Sequence, residues 1–334
     1  MVLKKRRSSG ASLAERGGPR KTRPVSSLPA LLLGLLLALS ACGESVQQPA
    51  EERYTVGVVS KSGSSEYWMT LRRGMETAAE ELGMDLIFLS PDSEAREDVQ
   101  SKMVETLVKR GVDAIAVSPI DSYQRPRYFD MAEEKGIPVI SYDTGFAELD
   151  IPYIGIDNRQ AGYALAEHLA EALGHRGEVG IVTGGLDQLS HRQRMEGFTA
   201  RMKEEPEMKV VFVESGYSNL QMSEVKIRRI RAAHPLIEGI VATSAVTALG
   251  IAEGLGDDSV KIVSIDIQKD ALEAVQDGRI AALTAQSGYE IGYRTIQYID
   301  RLRAGTAEPS GEILAADVLT AENVEAYMER EYQE

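Results

Sequence analysis

Asp143 and Asp266 stand 123 residues apart, and each closes a similar apolar run: Ile137-Pro-Val-Ile-Ser-Tyr-Asp143 and Val260-Lys-Ile-Val-Ser-Ile-Asp266. A carboxylate at a strand end can accept two hydrogen bonds from vicinal hydroxyls, and a charged acceptor holds them more strongly than a neutral one. One such Asp would more often close an Asx turn or cap a helix; two at matching positions favour a shared site. Tyr67 and Trp68, the latter the single tryptophan, follow the loop Ser60-Lys-Ser-Gly-Ser-Ser-Glu. Ser65 can cap a helix that carries both aromatics in its first turn. There an aromatic face can stack on the apolar side of a polyhydroxylated ring, although the spacing fits a core aromatic equally well. Arg192 and Arg194 open a later helix, where one guanidinium fork suits hydroxyl pairs or carboxylates and the other reads as an exposed charge. Tyr217 follows a strand and either closes a cleft or faces solvent. Asn158 and Gln286 carry amides that donate and accept at once, suited to a hydroxyl ligand or to a hinge hydrogen bond.

Other chemistries find little support. The histidines at 168, 175, 191 and 234 are scattered and one cysteine is present, so no transition-metal site is expected. The loops SKSGSSEYW and TGGLDQLS do not fit GxGxxG, and neither a GxSxG elbow nor a phosphate-binding loop occurs. Neither a cofactor nor enzymatic activity is expected. The formal net charge is −14. Such a chain repels nucleic acid and anionic lipid heads.

Placing these groups requires elements that deliver strand ends to one locus. Short β-rich runs alternate with amphipathic stretches. One series of strands is predicted at Thr55–Val59, Asp85–Leu89, Ala114–Val117, Val139–Tyr142 and Tyr153–Ile156, and a second at Val179–Val182, Lys209–Val213, Ile240–Ala242, Lys261–Ile265 and Ala281–Thr284. Helices are predicted at Glu66–Leu82, Arg96–Arg110 and Gly162–Leu173. This alternation argues for βαβ units and parallel sheets with right-handed crossovers. The two series repeat: Val56-Gly57-Val58-Val59 with Val179-Gly180-Ile181-Val182, Gly74-Met75 with Gly197-Phe198, and the two aspartate runs all share the offset of 123. Ala161-Gly162-Tyr163 answers Ile291-Gly292-Tyr293 with a few residues inserted. The expected fold is therefore α/β, with two similar doubly wound parallel-sheet lobes joined by a three-strand hinge. The helix Gly288–Arg303 belongs by position with the first lobe. The lobes are expected at 54–157 plus 287–317 and 158–286 plus 318–334, with crossings near Asp157-Asn158, Gln286-Ser287 and Ala316–Leu319. Ligands of open parallel sheets bind beyond the carboxyl ends of the strands, so the two sets of ends would share one cleft.

Ahead of this lies a basic leader with Lys4, Lys5, Arg6 and Arg7, the apolar run Leu28–Leu39, and Leu39-Ser40-Ala41-Cys42. This reads as a secretory signal over 1–41, too short to span a membrane. Its end resembles a bacterial lipobox, which implies acylation of Cys42 and an extracytoplasmic protein anchored to the cell membrane. Residues 42–53 are polar and aperiodic, as suits a flexible tether.

The chain from Tyr54 to Val318 resembles the type 1 periplasmic binding proteins, especially the ribose- and galactose-type receptors of ABC importers. The likeness is carried by VGVVSKSGSSEYWMTLRRGMETAAEELG, followed in family order by IPVISYD, YIGIDN, RQRMEGF, ATSAVTALG, IVSIDI and AALTAQ. It implies a monomer that captures a sugar or polyol between its lobes and delivers it to an ABC permease, or signals to a membrane histidine kinase or chemoreceptor. It also implies ligand contacts at Ser65, Tyr67, Trp68, Asp143, Asn158, Arg194, Tyr217, Asp266 and Gln286. Two positions depart from the family: Thr144 stands where Arg often follows the first Asp, and Ser244-Ala245 where Asn-Asp often precedes the ALG helix.

Overall fold

The computed structural model describes residues 53–331 apart from Ser64, Asp257 and Asp258. The leader, Cys42 and most of the tether lie outside the described residues. Among the described residues, no helix is long and apolar enough to cross a membrane.

The first lobe opens with β1 (Thr55–Val59), α1 (Glu66–Leu82), β2 (Asp85–Leu89), α2 (Glu97–Arg110), β3 (Ala114–Val117), α3 (Tyr128–Glu134), β4 (Val139–Tyr142) and β5 (Tyr153–Ile156). The second contains α4 (Asn158–Ala172), β6 (Gly177–Thr183), α5 (Leu189–Met202), β7 (Met208–Ser215), α6 (Leu220–Ala233), β8 (Ile237–Ala242), α7 (Ala245–Leu255), β9 (Lys261–Ile265), α8 (Lys269–Gln276) and β10 (Ala282–Thr284). The chain then adds α9 (Gly288–Arg303), β11 (Gly311–Leu314), β12 (Val318–Leu319) and α10 (Val324–Glu331). Two six-stranded sheets result, ordered β11-β5-β4-β3-β1-β2 and β12-β10-β9-β8-β6-β7. Both carry the doubly wound order 2-1-3-4-5. Their outermost strands differ: β11 runs parallel to β5, whereas β12 runs antiparallel to β10.

Alternate residues of each central strand feed opposite cores. Val56, Val58, Ala114 and Ala116 pack with α1 and α9, while Val59, Ile115 and Val117 pack with α2 and α3. In the second lobe Val179, Ile181 and Val263 face α4 and α5, while Val182, Ile240 and Ile262 face α6, α7 and α8. Burial on both faces is why these strands read as unbroken apolar runs.

The repeat has a packing cause. A Cβ at Gly74 of α1 would lie 2.1 Å from the Tyr289 carbonyl oxygen of α9, and one at Gly292 would lie 2.0 Å from that of Leu71. The second lobe repeats the crossing: a Cβ at Gly197 of α5 would meet the Arg159 oxygen at 1.9 Å, and one at Gly162 of α4 the Arg194 oxygen at 2.0 Å. Each lobe thus needs a glycine pair where two helices cross at backbone contact. The crossing also joins α9 to the first lobe, although α9 follows the second lobe in sequence.

The chain passes between lobes three times. Asp157 ends the first passage by capping α4, accepting from Gln160 N at 2.9 Å. Ser287 ends the second by capping α9, accepting from Glu290 N at 3.2 Å. The third links β11 to β12, where Ala285 N donates to Asp317 O at 2.7 Å and ties two passages together.

Candidate functional site

The loops beyond the strand ends of both sheets enclose a cleft of about 370 Å³. Seven of the nine expected residues line it: Ser65, Tyr67, Trp68, Asp143, Arg194, Tyr217 and Asp266. Ser65 caps α1 as expected, accepting from Trp68 N. That cap fixes Tyr67 and Trp68 in the first turn, edge to face with centroids 5.2 Å apart. Trp68 is both a core and a cleft residue, buried yet on the wall. Tyr217 lies opposite on a strained turn, at φ 53°, and is 61% exposed.

Asn158 and Gln286 are not on the wall. They lie buried behind it, holding Arg194: Nε donates to Asn158 Oδ1 at 2.8 Å and Nη2 to Gln286 Oε1 at 2.5 Å. Nη1 donates to Thr243 O at 2.8 Å, which completes a rigid seat for the fork. Both amides also reach the first lobe, where Asn158 Nδ2 donates to Tyr153 OH at 3.2 Å and Gln286 Nε2 to Asp143 Oδ1 at 2.9 Å.

Both aspartates occupy the same unusual backbone state, φ 61° at Asp143 and 80° at Asp266. Asp tolerates this left-handed region better than most residues. Their surroundings differ. Asp143 Oδ1 accepts from Tyr67 OH at 2.6 Å and Gln286 Nε2 at 2.9 Å. Its Oδ2 accepts from Ser118 Oγ at 2.9 Å and Thr144 Oγ1 at 3.0 Å, with Lys61 Nζ at 3.1 Å. Burial raises the Asp143 pKa, but the Lys61 charge, the Tyr67 hydrogen bond and Arg194 outweigh it and carry the pKa down to about 2. Asp266 Oδ1 is buried with no hydrogen-bond partner. Arg194 Nη1 is 3.5 Å away, close enough for charge attraction without a hydrogen bond. Burial pushes the Asp266 pKa up to about 6; Arg194 opposes the rise and Asp143 adds to it.

Several residues of the site carried no sequence signal. Lys61 follows β1 and is 4% exposed, with Nζ donating to Thr144 Oγ1 at 2.9 Å and Gln188 Oε1 at 2.7 Å. Glu94 accepts from Trp68 Nε1 at 3.4 Å and from Gln188 Nε2 at 3.0 Å. His191 is held well below its usual pKa by burial first, then by Arg194 and Lys61. It is therefore a neutral hydrogen-bonding group, with Nδ1 2.8 Å from Thr243 Oγ1. Thr144, noted in sequence as a departure from the resembled family, bonds Asp143, Lys61 and, at 2.8 Å, Ser190 Oγ. The only pointer to Lys61 and Gln188 was position, since both follow the first strand of a lobe. Arg192, read as one of two alternatives with Arg194, instead lies over the Tyr123 ring of the first lobe, 4.6 Å from its centroid. Among the described residues, no group of His, Cys, Asp and Glu could hold a metal ion.

The arrangement is that of a binding cleft: a fixed guanidinium, an open carboxylate and an aromatic wall, with polar groups already bonded behind them. A family model described as a periplasmic binding protein domain matches residues 56–307. The D-ribose/D-allose-binding protein of Pseudomonas aeruginosa is 26% identical over 287 residues, spanning 80% of this chain and 90% of that protein. The xylitol-binding protein of Mycolicibacterium smegmatis is 26% identical over 298 residues, spanning 88% and 84%. A solved ABC transporter periplasmic solute binding protein from Actinobacillus succinogenes, with bound D-allose, superimposes with a TM-score of 0.78 at 27% identity, covering 82% of this chain and 100% of that one. Two lobes of one doubly wound design, a polar cleft between their strand ends and a family match over most of the length lead to one conclusion: the chain belongs to the type 1 periplasmic binding proteins of the sugar ABC transporter type.

Proposed function

We propose that this protein is an extracytoplasmic receptor that captures a small neutral sugar or polyol between its lobes and delivers it to an ABC importer. The observation that carries the reading is Asp266. A buried carboxylate oxygen without a hydrogen bond is costly, and a ligand hydroxyl would satisfy it. Arg194, 3.5 Å from that oxygen, supplies donors for a neighbouring hydroxyl oxygen. Trp68 offers an apolar wall to the carbon face of the same ligand. The named ligands of the relatives, D-ribose, D-allose and xylitol, fit this chemistry.

Ligand bridging both lobes favours the closed form through contacts that the open form lacks. In this reading, 54–157 with 287–317 and 158–286 with 318–334 move as two bodies about the three crossings. Residues 1–41 direct export, and a lipid on Cys42 holds the mature protein to the cell membrane through the tether 42–53.

A thermal-shift panel of D-ribose, D-allose, D-arabinose, xylitol, nucleosides and amino acids tests the ligand class. A ligand of the folded state raises the melting temperature by linkage. A sugar or polyol hit that is lost in Asp266→Ala is the expected result; a hit only among nucleosides or amino acids overturns the class. Uptake of the hit should fall in cells lacking the protein, and unchanged uptake would replace import by sensing. Cys42→Ser should release the protein from membranes, and continued lipid labelling of that variant would remove the anchor.

A further inference from the structure

Four consecutive residues at the start of α5 in the second lobe bond to the first lobe. Ser122 N donates to Asp187 O at 2.8 Å, and Leu189 N donates to Ser122 Oγ at 2.9 Å. Ser190 Oγ lies 2.8 Å from Thr144 Oγ1. Between them, Gln188 is 2% exposed and enters a charged slot of the first lobe. Its Oε1 accepts from Lys61 Nζ at 2.7 Å while its Nε2 donates to Glu94 Oε2 at 3.0 Å. Lys61 is committed as well: its remaining bonds go to Thr144 Oγ1 at 2.9 Å and Asp143 Oδ2 at 3.1 Å.

The slot is matched to an amide. Lys61 offers only donors and the Glu94 carboxylate oxygens accept, so the group between them must accept on one side and donate on the other. Both bonds are charge-assisted, the stronger class of hydrogen bond. The Lys61 bond joins the loops that follow β1 and β6, equivalent positions of the two lobes, and the Glu94 bond adds the loop that follows β2.

We propose that Lys61 and Glu94 are positioning residues that clasp Gln188 and draw the lobes together without ligand. The clasp adds to closure as ligand contacts do, so the ligand itself need contribute less of the closing free energy. This inference rests on the two-lobe fold and not on the identity of the ligand.

The test measures the interlobe distance in the full chain with no ligand added. Spin labels go on cysteines introduced at Met69 and Met222, exposed residues of the first and second lobe, in a Cys42→Ser background. Pulsed dipolar spectroscopy then reports the populations. The expected result is a predominantly short distance that shifts to long in Lys61→Met and in Gln188→Ala, each lowering the closed-to-open ratio about tenfold, as expected for loss of a charge-assisted bond. Gln188→Glu alone should also open the molecule, because its carboxylate faces Glu94. The double exchange Glu94→Gln/Gln188→Glu should restore the short distance, since the donor and acceptor have only changed sides; a merely structural role would not be rescued in this way. A ligand-free protein as open as Lys61→Met overturns the clasp, and so does failure of the double exchange to close it. Neither outcome touches the sugar panel, and an empty sugar panel leaves this measurement intact.

Discussion

Asp143 and Asp266 occupy equivalent positions, at the ends of equivalent strands and in the same left-handed backbone state, yet their surroundings are opposite. Asp143 is enclosed by Tyr67, Gln286, Ser118, Thr144 and Lys61 and is held ionised. Asp266 keeps one buried oxygen unpaired and has a raised pKa. The first lobe's carboxylate has protein partners on both oxygens, while one oxygen of the second lobe's carboxylate has no hydrogen bond. Duplication of a fold therefore does not duplicate the environment of equivalent side chains. The difference arises from groups outside the repeated motif, above all Lys61, which has no counterpart at Gly184, 123 residues on.

The largest effect expected from breaking this contrast is at Asp143. Asp143→Asn keeps a residue that accepts positive φ but leaves the buried Lys61 charge uncompensated, and should cost about 3–5 kcal/mol in urea unfolding near pH 7. The folded pKa, about 2, lies below the ordinary 3.8. The ion pair's contribution is therefore full above the ordinary value and is lost as pH falls toward 2. The deficit of the variant should narrow in acid; a constant deficit would mean that charge is not its source.

Asp266 should respond in the opposite sense. Its folded pKa, about 6, lies above 3.8, so the folded form retains a proton that the unfolded form releases. Stability falls as pH rises through that window, and the ionised carboxylate remains a cost above it. Asp266→Asn should stabilise the ligand-free protein by about 3 kcal/mol near pH 8 and by little near pH 3.5. It should also weaken binding of a panel hit. Destabilisation near pH 8 would count Asp266 among the framework residues.

The two aromatic walls sharpen the comparison at smaller scale. Trp68→Phe retains a buried ring but loses the bond to Glu94, and should weaken binding of the hit by about tenfold, near 1.4 kcal/mol. Unchanged affinity by titration calorimetry would assign Trp68 to the core alone. Tyr217→Ala, on an exposed side chain, should change stability by less than about 0.5 kcal/mol and affinity less than Trp68→Phe does. A larger loss of affinity than at Trp68 would move the main contact to the second lobe's rim.

Much of the fold was legible in the residue order. Thr55–Val59, Ala114–Val117, Val139–Tyr142 and Lys261–Ile265 have the bounds read from sequence, because strands buried on both faces appear as continuous apolar runs. The second lobe's edge strand was read short, as Lys209–Val213 against Met208–Ser215, because it is only partly buried. The helix at Asn158 was placed four residues late, since its apolar periodicity begins only at Ala161 while Asp157 supplies the cap. Strands β11 and β12 were absent from both predicted series. GEIL and VL are too short to mark themselves and become strands by pairing with β5 and β10.

In the cleft, residue type and repeat position singled out both aspartates, Trp68 and Arg194, because a carboxylate at a strand end and an aromatic in a capped first turn are local facts. Local pattern determined the two lobes, their shared design and the placement of α9, through glycines that only a close helix crossing requires. It could not show that Asp143 is enclosed and Asp266 open, that Asn158 and Gln286 stand behind Arg194, or that Gln188 lies between Lys61 and Glu94. Those facts depend on pairs distant in sequence, among them Gln188 with Glu94, Gln188 with Lys61 and Gln286 with Asp143, separated by 94, 127 and 143 residues. Hydrogen-bond satisfaction and the pKa of a buried carboxylate are set by which groups meet in space, and that is decided by tertiary packing within each lobe and between the two.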